Sequence, residues 1–428
     1  MGRKRYALVG CGSRSQMFCD AVAGVHKDTG EMVGFCDISQ TRMSHANKRL
    51  ESFGAAAVPT FLHADFDRML AETKPDCVIV TSVDRTHDLY IIKAMEAGCD
   101  VISEKPMTID EEKAQAIIDA QKRTGRSLRV TFNYRYAPHN SKMRELVMQG
   151  AIGDVFSVHF EWLLDTRHGA DYYRRWHRNK HNSGGLLVHK STHHFDLVNF
   201  WLADAPRRVF AMGDLMFYGM KNAERRGVTE FYDRAHGSEA ARRDPFAIDL
   251  VANDEMRAMY LDAEADSGYV RDRSVFSDDV AIEDVMGVMV RYSRGAILTY
   301  SLNSYMPWEG FNVALNGSKG RIELEVRENS YVSGRDNPVH QGATETERLT
   351  VHPLFGEPYE VKPERKEGGH GGGDPVMLND IFGSPDPDPL RRAASHVDGA
   401  MSILTGIAAN KSIASGAPVD VASLLRFQ

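Results

Sequence analysis

The sequence lacks any run close to the roughly 18 consecutive apolar residues that cross a membrane, and no signal-peptide core follows its first residues. It has only five cysteines, and none has the paired spacing of a disulfide framework or a zinc ribbon. It also lacks a long basic run, and its net charge is −7, which argues against nucleic acid or an anionic membrane as the main partner. We therefore expect a cytoplasmic globular protein.

The composition is otherwise ordinary, with one unusual count. At about 150 residues per domain, the 428 residues predict two or three domains, and 42% hydrophobic residues can build more than one core. Six of the 17 histidines, however, fall within one short stretch: His168, His177, His181, His189, His193 and His194.

Two patterns of apolar residues divide the chain. Up to about residue 150, short apolar runs such as Tyr6–Gly10 and Cys77–Val80 alternate with amphipathic segments, which predicts buried parallel strands between helices. Further on, longer segments such as Val155–Trp162 and Val285–Tyr292 include alternating apolar and polar residues, which predicts antiparallel strands with one covered face.

The predicted fold is α/β with two domains. We expect an N-terminal Rossmann domain with a doubly wound parallel sheet over residues 1–135. A C-terminal α+β domain with a large, open, mostly antiparallel sheet should follow over 136–428. Within it, about 214–283 is interpreted as an insertion with irregular or short helical structure, and about 366–374 as a flexible glycine-rich loop.

The first predicted strand leads into Gly10-Cys-Gly12-Ser-Arg-Ser15, which has two of the three glycines of a dinucleotide fingerprint. Gly10 would make the tight turn and Gly12 would let the backbone approach a pyrophosphate, with Ser13 and Arg14 beside it. The motif alone is weak, because such glycines are also common in plain turns.

Asp37, at the end of the second predicted strand, strengthens the cofactor interpretation. Its carboxylate could accept hydrogen bonds from both ribose hydroxyls and would repel a 2′-phosphate, so NAD is favoured over NADP. Alternatively, Asp37 is the N-cap of the next helix, a role that Ser39 could share. Arg42 is the one nearby sign of tolerance for NADP.

Glu104-Lys105-Pro106 follows a predicted strand at the carboxyl edge of the sheet, where ligands of open α/β folds bind. There Glu104 and Lys105 could contact the cofactor, and Lys105 could also hydrogen-bond a substrate hydroxyl. The alternative is a lysine in a solvated surface loop.

These motifs, in this order, resemble those of the Gfo/Idh/MocA family, which includes glucose-fructose oxidoreductase and inositol dehydrogenase. The resemblance covers nearly the whole chain, and it implies a nicotinamide cofactor and a homodimer or homotetramer formed through the open sheet. Its segments are Glu104-Lys-Pro106, Asn133-Tyr-Arg-Tyr136, Gly184-Gly185, Gly317-Ser-Lys-Gly-Arg321 and Asn410-Lys-Ser-Ile413.

Members of the family carry Gly-Gly-X-Leu-X-Asp-X-Gly-X-His-X-X-Asp, whose Asp and His act on the substrate together with the Glu-Lys-Pro lysine. The matching stretch places His193 on the catalytic histidine and Asp196 on the trailing aspartate, but it has His189 for the first aspartate and Ser191 for the glycine. Four residues apart on one helix, His189 and His193 could converge on one substrate or one metal ion.

The resemblance implies a catalytic set of three side chains. His193 is the first choice for the base that takes the hydroxyl proton, Lys105 would orient or relay it, and His189 would assist. Lys190 and His194 lie to one side as weaker substrate-binding candidates. The alternative is that these histidines merely pack and cap.

Further substrate contacts are predicted upstream and downstream of this helix. Arg175, Trp176 and His177 combine cationic forks with an indole, which suits a glycoside or a sugar acid, although a surface loop or a subunit contact is the alternative. His370, in the glycine-rich loop, could close over the substrate.

The leading hypothesis is an NAD-dependent oxidoreductase acting on a secondary hydroxyl of a sugar, glycoside or cyclic polyol. A second is a glycosidase that uses NAD only transiently, oxidising the sugar, eliminating the aglycone and reducing again. A third is a metal-dependent sugar lyase or hydratase built on His189 and His193, and a fourth is a dinucleotide-sensing binding protein. No metal ligand set is predicted for the leading hypothesis.

Overall fold

The computed structural model describes residues 2–332, 344–364, 368–385 and 387–426. Along these ranges, no helix is both long and apolar enough to cross a membrane. The strands are β1 Lys4–Val9, β2 Gly30–Asp37, β3 Thr60–Leu62, β4 Cys77–Val80, β5 Asp100–Ser103, β6 Leu128–Val130, β7 Val155–Asp165, β8 Pro206–Asp214, β9 Val285–Tyr292, β10 Ile297–Met306, β11 Glu309–Gly317, β12 Gly320–Asn329, β13 Thr346–Pro353, β14 Tyr359–Val361, β15 Ala394–Ser395 and β16 Val419–Asp420. The α-helices are α1 Gln16–Ala23, α2 Gln40–Ser52, α3 Phe66–Thr73, α4 His87–Glu96, α5 Glu111–Thr124, α6 Pro138–Met148, α7 His168–Arg174, α8 Lys180–Ser183, α9 Leu186–His189, α10 Ser191–Leu202, α11 Met220–Arg225, α12 Asp254–Met256, α13 Glu264–Ser267, α14 Gly369–Phe382 and α15 His396–Ser415.

The first sheet has the order β15-β6-β5-β4-β1-β2-β3, and its strands are parallel except for the short β15. Strand β4 is buried at every residue, which explains its unbroken apolar sequence. Strand order reverses between β1 and β4, so the crevice outside their carboxyl ends is the expected ligand site. The predicted Rossmann domain is confirmed.

The second sheet has nine strands in the order β14-β13-β12-β11-β7-β10-β9-β8-β16, and only the β7–β10 pair is parallel. Its covered face is apolar, as in the alternating buried residues of β9 and β10. The opposite face carries polar side chains such as His159, Glu161 and Glu323. The predicted α+β domain with a large, open, mostly antiparallel sheet is confirmed.

Two segments of this domain shape the cleft described below. The chain between β8 and β9 contains α11, α12, α13 and a π-helical turn at Arg257–Leu261. These are short helices, as expected for the insertion. The described part of the predicted glycine-rich loop overlaps the start of α14 but is not regularly helical. His370, Gly371 and Gly372 have positive φ angles there, and His370 is held by Asp374. Residues 366 and 367 lie outside the described residues.

Helix α15 packs against α9, α10 and β8, and Gly406 lets it approach α9 closely. A Cβ atom at Gly406 would collide with the carbonyl oxygen of Leu187. We therefore expect Gly406→Ala to lower the free energy of unfolding by about 1–3 kcal/mol, because the backbone of one helix must move. The midpoint of thermal unfolding measures this.

The matched control for this prediction is Gly287→Ala, at an exposed position of β9. A Cβ atom at Gly287 would have no heavy atom within 4 Å. This substitution is expected to cause no loss of stability, and equal midpoints for the two variants would contradict the packing argument.

Candidate active site

A cleft of about 1240 Å³ lies at the carboxyl ends of the parallel strands, and residues of both domains line it. The structure brings most of the predicted site residues together there, although they are spread over 360 positions of the chain. The predicted residues that line the cleft are Gly10, Gly12, Ser13, Arg14, Asp37, Glu104, Lys105, Arg175, Trp176, His177, His189 and His370.

The glycine-rich turn after β1 fits a dinucleotide. Gly10 has a φ of +94°, and a Cβ atom there would lie 2.5 Å from the backbone nitrogen of Ser82, so only glycine suits this turn. A Cβ atom at Gly12 would instead meet nothing within 4 Å, which leaves open space beside the backbone at the cleft. The buried Arg14 Nη2 lacks a hydrogen-bond partner among the described residues. This turn could therefore hold a pyrophosphate.

Asp37 ends β2 and lines the cleft beside this turn. Its Oδ2 accepts a hydrogen bond from Cys11 N at 2.6 Å and its Oδ1 accepts one from Ser39 N at 2.8 Å. The N-cap of α2 is Ser39, whose side chain accepts from Arg42 N, so the alternative N-cap role of Asp37 is wrong. A carboxylate has about four acceptor positions, so Asp37 keeps capacity for ribose hydroxyls.

The insertion contacts this cofactor edge. Ser13 N donates to Tyr260 Oη at 3.3 Å, and Arg42 Nε donates to Met259 O at 3.0 Å. The Arg42 guanidinium also lies 5.7 Å from each of the rings of Tyr260 and Tyr269. Arg42, the residue that suggested tolerance for NADP, is thus engaged by the insertion.

Lys105 follows β5 in the cleft rather than in a solvated surface loop. The neighbouring Glu104 Oε1 accepts from Arg14 Nε at 2.9 Å and from Thr131 Oγ1 at 2.8 Å, which fixes this loop. Burial lowers the pKa of Lys105 to about 8, Glu104 opposes this shift and the charge of Lys190 adds to it. Lys105 can therefore exchange a proton close to neutral pH.

His189 pairs with Asp84, a residue that sequence reasoning missed. The distance from His189 Nδ1 to Asp84 Oδ2 is 2.5 Å, and both side chains line the cleft. Burial lowers the pKa of His189, with the charges of Lys105 and Arg175 adding to the effect, and burial raises the pKa of Asp84. Such a pair binds and releases a proton as one unit. When the pair holds its proton on His189 Nδ1, directed at Asp84, His189 Nε2 is an acceptor.

His193, Lys190 and His194 do not line the cleft. His193 is 2% exposed, and its ring centre lies 4.9 Å from that of Tyr134. Lys190 Nζ lies 4.9 Å from the ring centre of Trp162, and His194 stacks on the same ring at 3.9 Å. Lys190 and His194 are therefore buried among aromatic side chains, and substrate binding by them stays a prediction.

The directions of successive side chains along α9 and α10 explain why Lys190 lies outside the cleft. Helix α9 ends at His189 and α10 begins at Ser191, so the expected single helix is in two pieces. Successive helical residues also turn by about 100°, which directs Lys190 away from the cleft when His189 faces it. His189 and His193 have different neighbours.

Arg175, Trp176 and His177 line the cleft, so the alternative of a surface loop is wrong. The indole of Trp176 stacks on His177 with ring centres 3.6 Å apart. The ring of His177 lies 4.2 Å from that of His189. This aromatic wall is adjacent to the His189–Asp84 pair.

Asp84 and the residues of the insertion are the parts of the site that sequence reasoning did not find. Asp84 follows β4 as Lys105 follows β5, so the strand-end rule used for Lys105 could also have found it. No comparable signal marks Tyr260, Tyr269 or Arg271, which reach the cleft only through the packing of the insertion.

Within the described ranges, no group of three His, Cys, Asp or Glu side chains is arranged to hold a metal ion. The separation of His189 and His193 into different surroundings agrees with this. The metal-dependent lyase stays a prediction from the sequence.

Two family descriptions match successive parts of the chain. "Oxidoreductase family, NAD-binding Rossmann fold" matches residues 4–132, and "Oxidoreductase family, C-terminal alpha/beta domain" matches residues 144–421. The chain belongs to the Gfo/Idh/MocA oxidoreductase family. The resemblance seen in its motifs is confirmed, and so is the prediction of an oxidoreductase with an NAD-binding Rossmann domain.

Relatives in the Gfo/Idh/MocA family align along the whole chain. A Bacillus subtilis (strain 168) protein named as an oxidoreductase, YteT, is 36% identical over 446 residues, which cover 98% of this chain and 99% of that protein. A glycosyl hydrolase family 109 protein of Parabacteroides distasonis is 23% identical, covering 100% of this chain and 88% of its own. The solved WlbA dehydrogenase from Bordetella pertussis, in complex with NADH and UDP-GlcNAcA, shares the fold with a TM-score of 0.63 at 18% identity, over 98% of each chain.

Proposed function

We propose that this Gfo/Idh/MocA oxidoreductase oxidises a secondary hydroxyl of a sugar, glycoside or cyclic polyol, with NAD as its cofactor. The proposal rests on one observation: the His189–Asp84 pair and Lys105 line the same cleft as the Gly10–Gly12 turn and Asp37. The groups that can accept a proton therefore face the same cleft as the edge that would bind the dinucleotide.

The residues of the chain would handle the proton. Bound NAD supplies the acceptor for the hydride that leaves the alcohol carbon. Neutral Lys105 hydrogen-bonds the alcohol oxygen and takes its proton, and His189 Nε2, with Asp84 bonded to Nδ1, accepts that proton in turn. His193, whose ring centre lies 4.9 Å from that of Tyr134, stays a predicted member of the acid–base set.

The function is tested by incubating the purified protein with NAD and a panel of sugars, glycosides and cyclic polyols. We expect NADH to accumulate with members of one of these classes. We also expect a higher kcat/KM for NAD than for NADP, because Asp37 repels a 2′-phosphate and Arg42 is engaged by the insertion. If the protein binds NAD but forms NADH with no member of the panel, net oxidation is contradicted.

The redox-neutral glycosidase is the second candidate, and the full-length alignment with a glycosyl hydrolase family 109 protein favours keeping it. The same acid–base set would serve its oxidation step and the elimination that follows. Release of the aglycone without net formation of NADH would select this candidate. A homodimer or homotetramer and a cytoplasmic location stay predictions from the sequence.

A further inference from the structure

Three arginines surround a single carboxylate at one side of the cleft. Arg271, from the insertion, holds Asp171 with two contacts of 2.8 Å. Arg174 and Arg175, at the end of α7, reach the same carboxylate at 3.2 Å and 3.5 Å. All four side chains line the cleft. One negative charge therefore faces three positive charges, which leaves a local excess of cations.

Arg175 has the most exposed side chain of the three arginines. Its contact with Asp171 is the longest of the three, its side chain is 27% exposed, and its buried Nε has no hydrogen-bond partner among the described residues. Arg271 Nε also lacks a hydrogen-bond partner within that part of the chain, but the Arg271 side chain is less exposed. Arg174 differs, because both Nε and Nη2 donate to Phe246 O. Buried polar groups without partners are costly, so a ligand that satisfies the Arg175 guanidinium gains affinity.

The cluster is continuous with the proposed reaction centre. Arg175 directly precedes Trp176 and His177, which form the aromatic wall beside His189. The positive charge of Arg175 also contributes to the lowered pKa of both His177 and His189, after the larger effect of burial. A ligand at His189 therefore lies within the field of Arg175.

We propose that the substrate is an anionic sugar, a uronic acid or its glycoside, whose carboxylate binds Arg175 while its ring hydroxyl faces His189. A guanidinium and a carboxylate form paired, charge-assisted hydrogen bonds, which a neutral sugar cannot provide. Trp176 offers an apolar face for the sugar ring. This inference rests on the proposed function, since it names the substrate class of the same site.

The test compares matched pairs of ligands on the NAD-loaded protein: methyl glucuronide with methyl glucoside, and galacturonate with galactose. Binding is measured by isothermal titration calorimetry, and turnover by NADH formation and by aglycone release from the nitrophenyl derivatives. We expect uronates to bind roughly 10- to 100-fold more tightly than their neutral counterparts. Equal or weaker binding of the uronates overturns the inference. Tight binding of uronates without either turnover contradicts the proposed function and leaves the carboxylate site supported.

The substitution Arg175→Gln tests whether this side chain causes the preference for uronates over neutral sugars. It should raise the Kd of the uronate roughly 10- to 100-fold and that of the neutral sugar much less, and Arg175→Lys should give an intermediate value. Arg242→Gln, which removes a 75% exposed arginine paired with Glu239 on the insertion, should change neither. If Arg175→Gln leaves the thermal midpoint unchanged but raises the Kd of both ligands alike, the proposed contact with the carboxylate is wrong.

Discussion

Lys105→Met is expected to lower kcat/KM by roughly 10²- to 10⁴-fold while the protein still binds NAD. The substitution keeps a similar length and apolar stem but removes the group that hydrogen-bonds the reacting oxygen and relays its proton. The pH dependence should change as well. Burial lowers the pKa of Lys105 to about 8, so the neutral form that can accept a proton becomes dominant above that pH. Wild-type kcat/KM should therefore rise as the pH increases through about 8 and then level off.

The matched control is Lys93→Met, on the surface of the Rossmann domain. Lys93 is partly exposed, pairs with Asp67 at 2.7 Å and does not line the cleft. The Lys93→Met substitution should leave both kcat/KM and its pH profile unchanged. A Lys105→Met enzyme that keeps the wild-type rise near pH 8 would assign that rise to another group.

The parts of the fold that sequence reasoning predicted are those determined by local patterns. The apolar run Cys77–Val80 predicts a buried parallel strand because residues covered on both faces show no alternation, and β4 has those bounds. The positions of Gly10, Asp37 and Lys105 then follow, because parallel strands place their carboxyl ends at one edge. Local patterns and one topological rule are therefore enough to predict the residues on this side of the cleft.

The opposite side of the cleft depends on contacts that no local pattern encodes. Tyr260 lies 247 positions from Ser13 in the sequence, and only the packing of the insertion brings its hydroxyl to the glycine-rich turn. The insertion is rich in charged residues, and one of them, Arg271, is buried against Asp171. Composition reports average exposure and says nothing about which charged side chains pair across the fold.

The histidine cluster shows that local sequence patterns also fail to predict the contacts of single residues. The alignment of motifs places His189 and His193 at equivalent spacing to the family pair, but it carries no information on the break at Lys190. The neighbours of His194 in sequence suggest a substrate role, whereas its ring stacks on Trp162 and bonds to Tyr300 Oη at 2.6 Å. Only tertiary contacts reveal that His194 is buried between aromatic residues.

The pair formed by Asp84 and His189 leads to the second large prediction. The family motif has an aspartate where this chain has His189, and here a carboxylate reaches the same place from Asp84 on the Rossmann side. We expect Asp84→Asn to lower kcat/KM about 100-fold with little change in the binding of NAD. An amide donates as well as accepts, so it does not hold the His189 proton on Nδ1, and the ring then presents Nε2 less often as the acceptor.

A double-mutant cycle separates this positioning role from a structural one. If Asp84 acts through His189, then Asp84→Asn should cost little more in a His189→Asn background, and the two losses should not add. The pH profile provides a second readout, because removal of one partner abolishes the shared titration of the pair. Additive losses with an unchanged pH profile would mean that Asp84 only stabilises the turn after β4. Restoration of activity by the exchange Asp84→Asn with His189→Asp would instead show that the cleft needs one carboxylate at this place, whichever domain supplies it.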